Sequence, residues 1–346
     1  MKVCIAVMLS RQEPSNRNKK AIYDYIVKDC NELMANGKLK NEYFFIFYKG
    51  AVEGTQGLPN RCSISRNDYD FDIQDKNVLP KNCVEIETPT RDGINYTFEK
   101  TIECFKMLEN LAEEKDYFNY DWLIRINIST FINIRLLDFI LDTANKDTIY
   151  STAVNAILDG TTYLNDVYPR GDFYIISHDM VQSVLNVSDK FYVDVRNNDD
   201  YEKLFITVPH VDDVLLGICI KQVLGKKYYE HIKPLYYAYI PEYVKENDDI
   251  SKELFRHILS VRLKTVPPNM HSGYSWDDNL YRKADVIKFK KCQEFYSKQI
   301  PYTESEGVTI NALITPDDGG RPIPVTQHVN TTFKHIKEYL KIKEEN

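Results

Sequence analysis

Residues Tyr120–Leu141 read YDWLIRINISTFINIRLLDFIL. From Trp122 to Ile126 the run is apolar apart from Arg125. It then breaks into a polar turn around Asn127 and Ser129, and a helical pattern begins near Ile134. A short apolar run closed by a polar turn and followed at once by a helix is how a buried strand of an α/β sheet is written. Polar side chains at the carboxyl end of such a strand are where these sheets bind ligands.

Upstream, the same alternation holds. Lys2 to Met8 is a buried strand. SNRNKKAIYDYIVKDCNELMANG follows with Ile22, Tyr25, Ile26, Cys30 and Leu33 at helical spacing, stopped by Gly37. EYFFIFY is a second strand ending at Gly50, and a Gly/Asn/Asp-rich stretch to about Asp75 reads as a loop or insertion. CVEIET is a third strand, and NYTFEKTIECFKMLENL is an amphipathic helix with Phe98, Ile102, Phe105 and Leu108 along one side.

Downstream come two more strands, TIYSTAV and GDFYIIS, with Ser177 as N-cap of the helix HDMVQSVL. Then follow the helix VDDVLLGICIKQVLG and the strands LYYAYI and FRHILSVRLK. Beyond Thr265 the character changes to loop, a helix KADVIKFKKCQEFYSKQ, a turn-rich linker and a polar terminal helix TTFKHIKEYLKIKEEN. The expected fold class is α/β, a mostly parallel central sheet flanked by helices on both faces. Residues 1–265 form the expected main domain and 266–346 a C-terminal extension with helices.

The composition excludes several classes. The 346 residues carry a formal net charge of -7, which argues against nucleic acid as a partner because that needs a basic face. Seven cysteines show no CxxC or Cys/His spacing, so neither a zinc site nor a disulfide framework is indicated. The apolar opening MKVCIAVML is too short for a membrane span and lacks a signal-peptide cleavage site, which makes the expected location cytoplasmic.

Asp212 and Asp213 open an otherwise apolar helix. Two carboxylates in a first turn are accounted for by capping and by the helix macrodipole alone. No GxGxxG, GxxxxGK[ST], HExxH or GxSxG occurs to anchor a dinucleotide, P-loop, zincin or α/β-hydrolase reading.

Taken in order, however, several segments resemble one family, the inverting β-1,3-glycosyltransferases of the GT-A fold, which include the β-1,3-galactosyltransferases and the Fringe enzymes. KKAIYDY (Lys19 to Tyr25) is similar to the family's RRxAIRxTW, and NYTFEKT (Asn95 to Thr101) to NLTLKT. LIRINISTFIN (Leu123 to Asn133) is similar to LLKTDDDVFVN, and GDFYIISHDMVQSVL to GGGYVLSRDLVxxL. VDDVLLGICIKQVLG is similar to xEDVYVGxCLKKLG. The likeness spans roughly residues 3 to 225. It implies a nucleotide-sugar donor, a UDP-sugar, bound by residues 1–133 and a glycan acceptor received by 134–265. It also implies that Asp213 is the general base and Asp212 its acidic neighbour.

The resemblance breaks at the metal turn. Where the family has three aspartates, this chain has Asn127, Ile128 and Ser129, and neither an amide nor a hydroxyl replaces a carboxylate toward Mn or Mg. Cationic side chains are expected to meet the diphosphate instead. The candidates for donor binding are Arg125, Asn127, Ser129, Lys100, Arg170 and His271, with Arg262, Lys264 and Arg282 further along. Two rivals stay open: a catalytically silent relative that binds carbohydrate or acts as a scaffold, and a nucleotidyltransferase on a similar sheet. The oligomeric state is not legible.

Overall fold

Five consecutive residues, Val3 to Val7, are closed to solvent, as the first strand of a sheet covered on both faces must be. The computed structural model describes residues 1–10, 13–51, 64–65, 82–92, 97–114, 116–152, 154–155, 167–196, 211–265 and 279–314. In chain order the elements are β1 (Lys2–Met8), α1 (Glu13–Ile22), a π-helical turn (Tyr23–Val27), α2 (Lys28–Ala35), β2 (Glu42–Ala51), β3 (Ile64–Ser65) and β4 (Cys83–Arg91). Then come α3 (Thr97–Glu114), β5 (Trp122–Asn127), β6 (Thr130–Ile132), α4 (Ile134–Ile140), β7 (Ile149–Ser151), β8 (Val154–Asn155), β9 (Val167–Tyr168) and β10 (Phe173–Ser177). The last are α5 (His178–Arg196), α6 (Val211–Leu224), β11 (Ile232–Pro234), β12 (Tyr237–Tyr239), β13 (Ser260–Arg262) and α7 (Asn279–Ser297).

The chain divides into two interleaved units. One takes Met1–Gln12, Glu42–Asn127 and Lys146–Ile232, the other Glu13–Asn41, Ile128–Asn145 and Lys233–Asn346. The first is built on an eight-stranded sheet of order β11-β7-β10-β5-β1-β2-β4-β3. Its centre, β5-β1-β2-β4, is parallel, while β10 runs antiparallel to β5 and β7, and β3 antiparallel to β4. The fold is thus mixed α/β with a mostly parallel central sheet flanked by helices, as expected from the strand–helix alternation.

One face of this sheet presents Cys4, Ala6, Phe44, Ile46, Val84, Ile86 and Leu123 to three helices. From α3 come Phe98, Ile102, Phe105 and Leu108, the four residues whose spacing marks that helix as amphipathic. α5 adds Met180, Val181 and Val184, and α6 adds Leu215, Leu216, Cys219 and Ile220. Each Val, Leu, Ile, Phe or Met side chain among them contributes roughly 1.5–3 kcal/mol by leaving water. Ser177 caps α5 as expected, its Oγ accepting the amide of Met180 at 3.3 Å. Gly225, at φ 71°, ends α6 in the left-handed region that costs a side-chain-bearing residue about 1–2 kcal/mol.

The second unit has a three-stranded sheet, β12-β13-β6, in which β12 is parallel to β13 and β13 antiparallel to β6. α1 packs along α7. The helix expected to run unbroken to Gly37 is interrupted by the π turn and resumes as α2. Its end is as expected: Gly37 stands at φ 61°, with Lys38 N–H donating to Leu33 O and Gly37 N–H to Met34 O, a Schellman closure.

Three local expectations need correction. β2 continues through Gly50 to Ala51, because β4 pairs with it to that point. Only Ser260–Arg262 of FRHILSVRLK is strand, the length that β6 and β12 pair with. The stretch before α4 is not all turn, since Thr130–Ile132 forms β6, with all three residues buried. The terminal helix expected from residue 331 onward lies outside the described residues. The cysteines Cys4, Cys30, Cys83, Cys104, Cys219 and Cys292 are all buried. Among the described residues no helix is long and apolar enough to cross a membrane.

Candidate functional site

The sheet reverses its winding at β1. From β1 the chain moves to β2 and β4 on one side, then crosses back to β5 on the other. In open α/β sheets the carboxyl ends of the strands flanking such a reversal are the ligand-binding edge. In the first unit that edge is formed by Leu9 after β1, Gly50 near the end of β2, Asp92 just after β4 and Asn127 closing β5.

Lys100 reaches this edge from the first turn of α3. It is 2 % exposed, and its Nζ donates to Asp92 Oδ1 at 2.8 Å and to Leu9 O at 3.4 Å. The same Asp92 oxygen accepts the backbone N–H of Gly50 at 3.3 Å. One carboxylate and one ammonium therefore tie together the ends of β1, β2 and β4 and the start of α3. On the other side of the reversal, Asn127 N–H donates to Asp172 O at 3.3 Å. The Asp172 carboxylate accepts Thr152 Oγ1 at 2.8 Å and pairs with Arg170 Nε at 3.3 Å. Arg170 is held by its own backbone N–H, which donates to Ser151 Oγ at 2.9 Å, and its side chain is 31 % exposed.

Arg125 lies two residues inside the end of β5, on the strand face it shares with Asn127. It is 1 % exposed; Nε donates to Tyr48 OH at 3.3 Å, Nη2 lies 3.1 Å from Met8 Sδ, and the guanidinium faces the Tyr174 ring. Burial pushes the Tyr48 hydroxyl above its ordinary range while the Arg125 charge pulls the other way. Arg125 is expected to grip phosphate from the strand end; its place within β5 puts the side chain in the core.

In the second unit, Ser129 is gripped twice. Its Oγ accepts Arg282 Nη2 at 2.6 Å, and its carbonyl accepts Leu263 N–H at 2.7 Å. Arg282 is itself held at Nε by Asp285 Oδ2, 3.1 Å away. Asp285, fully buried, also accepts Asn18 Nδ2 at 3.1 Å, Thr265 N–H at 2.9 Å and Thr265 Oγ1 at 2.8 Å. Lys288, one turn further along α7, donates to Ile240 O, Leu263 O and Thr265 Oγ1. Burial lowers its pKa to about 8, against the pull of Asp285.

The residues expected in the site thus fall into separate places: Lys100, Asn127 and Arg170 on the carboxyl edge of the large sheet, Arg125 behind it, and Ser129 with Arg282 in the second unit. The backbone of Asp212 and Asp213 forms the first turn of α6; their side chains, and all of His271, lie outside the described residues. Asp92, Asp172, Asp285 and Lys288 were not expected. Arg282, Asp285 and Lys288 follow one another at intervals of three, a charged stripe down one side of a helix, which is the one signal the sequence offered for them.

A divalent cation does not fit the turn after β5. Its side-chain oxygens are an amide and a hydroxyl, and the hydroxyl already takes a hydrogen bond from a guanidinium, whose charge opposes a second cation there. Among the described residues no group of three or more His, Cys, Asp or Glu side chains is placed to hold a metal.

No protein-family model matches the chain, and no curated protein matches it in sequence. Among solved structures it is similar to a glycosyltransferase involved in glycosylation of the major capsid of PBCV-1, at 8 % identity and TM-score 0.38, covering 84 % of this chain and 100 % of that one. It is similar too to the galactosyltransferase LgtC in complex with donor and acceptor sugar analogues, at 10 % identity and TM-score 0.40, covering 89 % and 99 %. An active-site mutant of LgtC gives 11 % and 0.37, covering 87 % and 98 %.

Proposed function

We propose that the chain is a glycosyltransferase that moves a sugar from a nucleotide-sugar donor, a UDP-sugar, to a hydroxyl of a glycan acceptor with inversion. The observation that carries this reading is the pair of cation-bearing clusters, Lys100–Asp92 and Arg170–Asp172, on the ligand-binding edge either side of the strand reversal. A nucleoside diphosphate is an anion, and each cluster brings a cation to that edge. Arg170, 31 % exposed, carries the planar guanidinium that suits phosphate oxygens, and Lys100 adds an ammonium to the same edge.

In this reading residues 1–133 hold the donor and 134–265 the acceptor. Asp213 takes the proton of the incoming hydroxyl, whose oxygen bonds to the anomeric carbon as the bond to the diphosphate oxygen breaks from the opposite face. The departing diphosphate carries away the electron pair, and Lys100 and Arg170, with the buried charge of Arg125 behind them, stabilise it. No step requires a metal at the Asn127–Ser129 turn.

One observation favours a second reading, a carbohydrate-binding relative without activity: the Ser129 hydroxyl is committed to Arg282. Incubation with a panel of nucleotide sugars separates the two. The transferase slowly hydrolyses at least one donor to free nucleoside diphosphate, and the second reading holds if none is hydrolysed.

A further inference from the structure

We infer that Arg282 is a positioning residue that holds Ser129 in the turn following β5; this rests on the nucleotide-sugar reading above, in which Ser129 belongs to the donor half. The turn is pinned from α7 by two routes. Asp285 fixes Nε of Arg282, whose Nη2 fixes Ser129 Oγ. Lys288 fixes Leu263 O, and Leu263 N–H fixes Ser129 O. Both the side chain and the backbone of one turn residue are therefore referred to a single helix.

The chemistry of the network points to placement. Asp285 has both oxygens filled, Oδ1 by Thr265 N–H and Oγ1, Oδ2 by Asn18 and Arg282, so it does not move to suit its neighbours. Well-packed apolar side chains of the same volume stabilise an interior at least as well as buried ion pairs do, so stability alone gives little reason to bury Arg282, Asp285 and Lys288 side by side. What a saturated network supplies is one fixed geometry. Ser129 lies two residues beyond Asn127, which closes β5 at the ligand-binding edge. An error of about 1 Å in a binding group can cost on the order of 100-fold in rate.

The test uses the full chain as wild type, Ser129→Ala, Arg282→Lys and the double variant. Lysine keeps the charge but lacks the fork that spans Asp285 and Ser129. Hydrogen exchange at the Leu263 amide reads the turn directly, and UDP affinity with donor hydrolysis reads the site. The expected result is exchange about tenfold faster and UDP binding about tenfold weaker in each single variant, with little further loss in the double, because both act through one hydrogen bond. Should Arg282→Lys fail to fold, Ser129→Ala, which removes one hydroxyl, carries the comparison alone. Unchanged exchange overturns the inference, and so does faster exchange with unchanged UDP affinity and turnover, which would make the network purely structural. A wild type that neither binds UDP nor hydrolyses any donor overturns the nucleotide-sugar reading and the purpose assigned here. The exchange rates then still decide whether the relay holds the turn.

Discussion

Lys100 Nζ and Asp92 Oδ1 stand 2.8 Å apart, with the lysine 2 % and the aspartate 11 % exposed, and the same carboxylate oxygen accepts the amide of Gly50. This is an ion pair placed where parallel strands end, and the two partners are not equally replaceable.

Asp92→Asn leaves a buried ammonium without its counter-charge and should destabilise the chain by roughly 3–5 kcal/mol. Lys100→Met leaves a carboxylate that keeps the Gly50 amide and has more access to water, and should cost clearly less. Urea unfolding of both variants measures the difference. If nucleotide binds at this edge, Lys100→Met weakens UDP at least as much as any loss of stability explains. Equal stability losses in the two variants would mean that the pair is not buried as described.

Asp213→Asn should lower transfer by about 10²–10⁴-fold, the usual reach of a general base, while UDP affinity and melting temperature stay near wild type. An active variant removes Asp213 from the mechanism and leaves the donor edge untouched.

Activity should survive EDTA. The turn after β5 offers no carboxylate, and Arg282 stands 2.6 Å from its hydroxyl. Complete loss of activity restored by Mn or Mg would show that ligands come from some other part of the chain.

Lys288 gives a pH dependence of defined sign. Burial lowers its pKa from 10.5 to about 8. Between those values the unfolded chain holds a proton that the folded chain has shed, so this group makes stability rise with pH from about 8 to 10.5. Below that window both states are charged and the penalty is constant. Lys288→Met should lack the rise, a difference on the order of 1–3 kcal/mol between the two ends of the window. Denaturant midpoints of both proteins across the window test it; parallel curves would place the ammonium in contact with water.

Much of the fold was legible because burial on both faces writes parallel strands as unbroken apolar runs, as in Val3 to Val7, and because α3 repeats its apolar positions at helical intervals. Ser177 and Gly37 marked element ends through local chemistry that needs no distant partner. β6 was not legible: its three residues become a strand only by pairing with β13, more than a hundred positions away in the chain. The site divides along the same line. Lys100 and Arg170 are candidates as cations, Lys100 through the likeness of NYTFEKT to NLTLKT and Arg170 through its place before a strand. Their partners Asp92 and Asp172 could not be named, because the pairing depends on which loops meet at one edge of the sheet. Arg125 was legible as a cation near a strand end, but not its burial, which β1, β2 and β10 impose through Met8, Tyr48 and Tyr174. Asp285 and Lys288 sit in a helix with ordinary amphipathic composition, and only the elements opposite decide that its polar stripe faces inward.

The sequestered cysteines give the chain a reporter of its own opening. Burial raises the thiols of Cys4, Cys83, Cys104 and Cys292 well above the ordinary value and that of Cys219 to about 12, so at neutral pH almost no thiolate exists while the core is shut. An alkylating dye added to native protein therefore waits for a breathing event, and mass spectrometry of the tagged peptides would assign each event. Tags on Cys83 would time the loosening of β4, and tags on Cys292 the departure of α7, without a single engineered label.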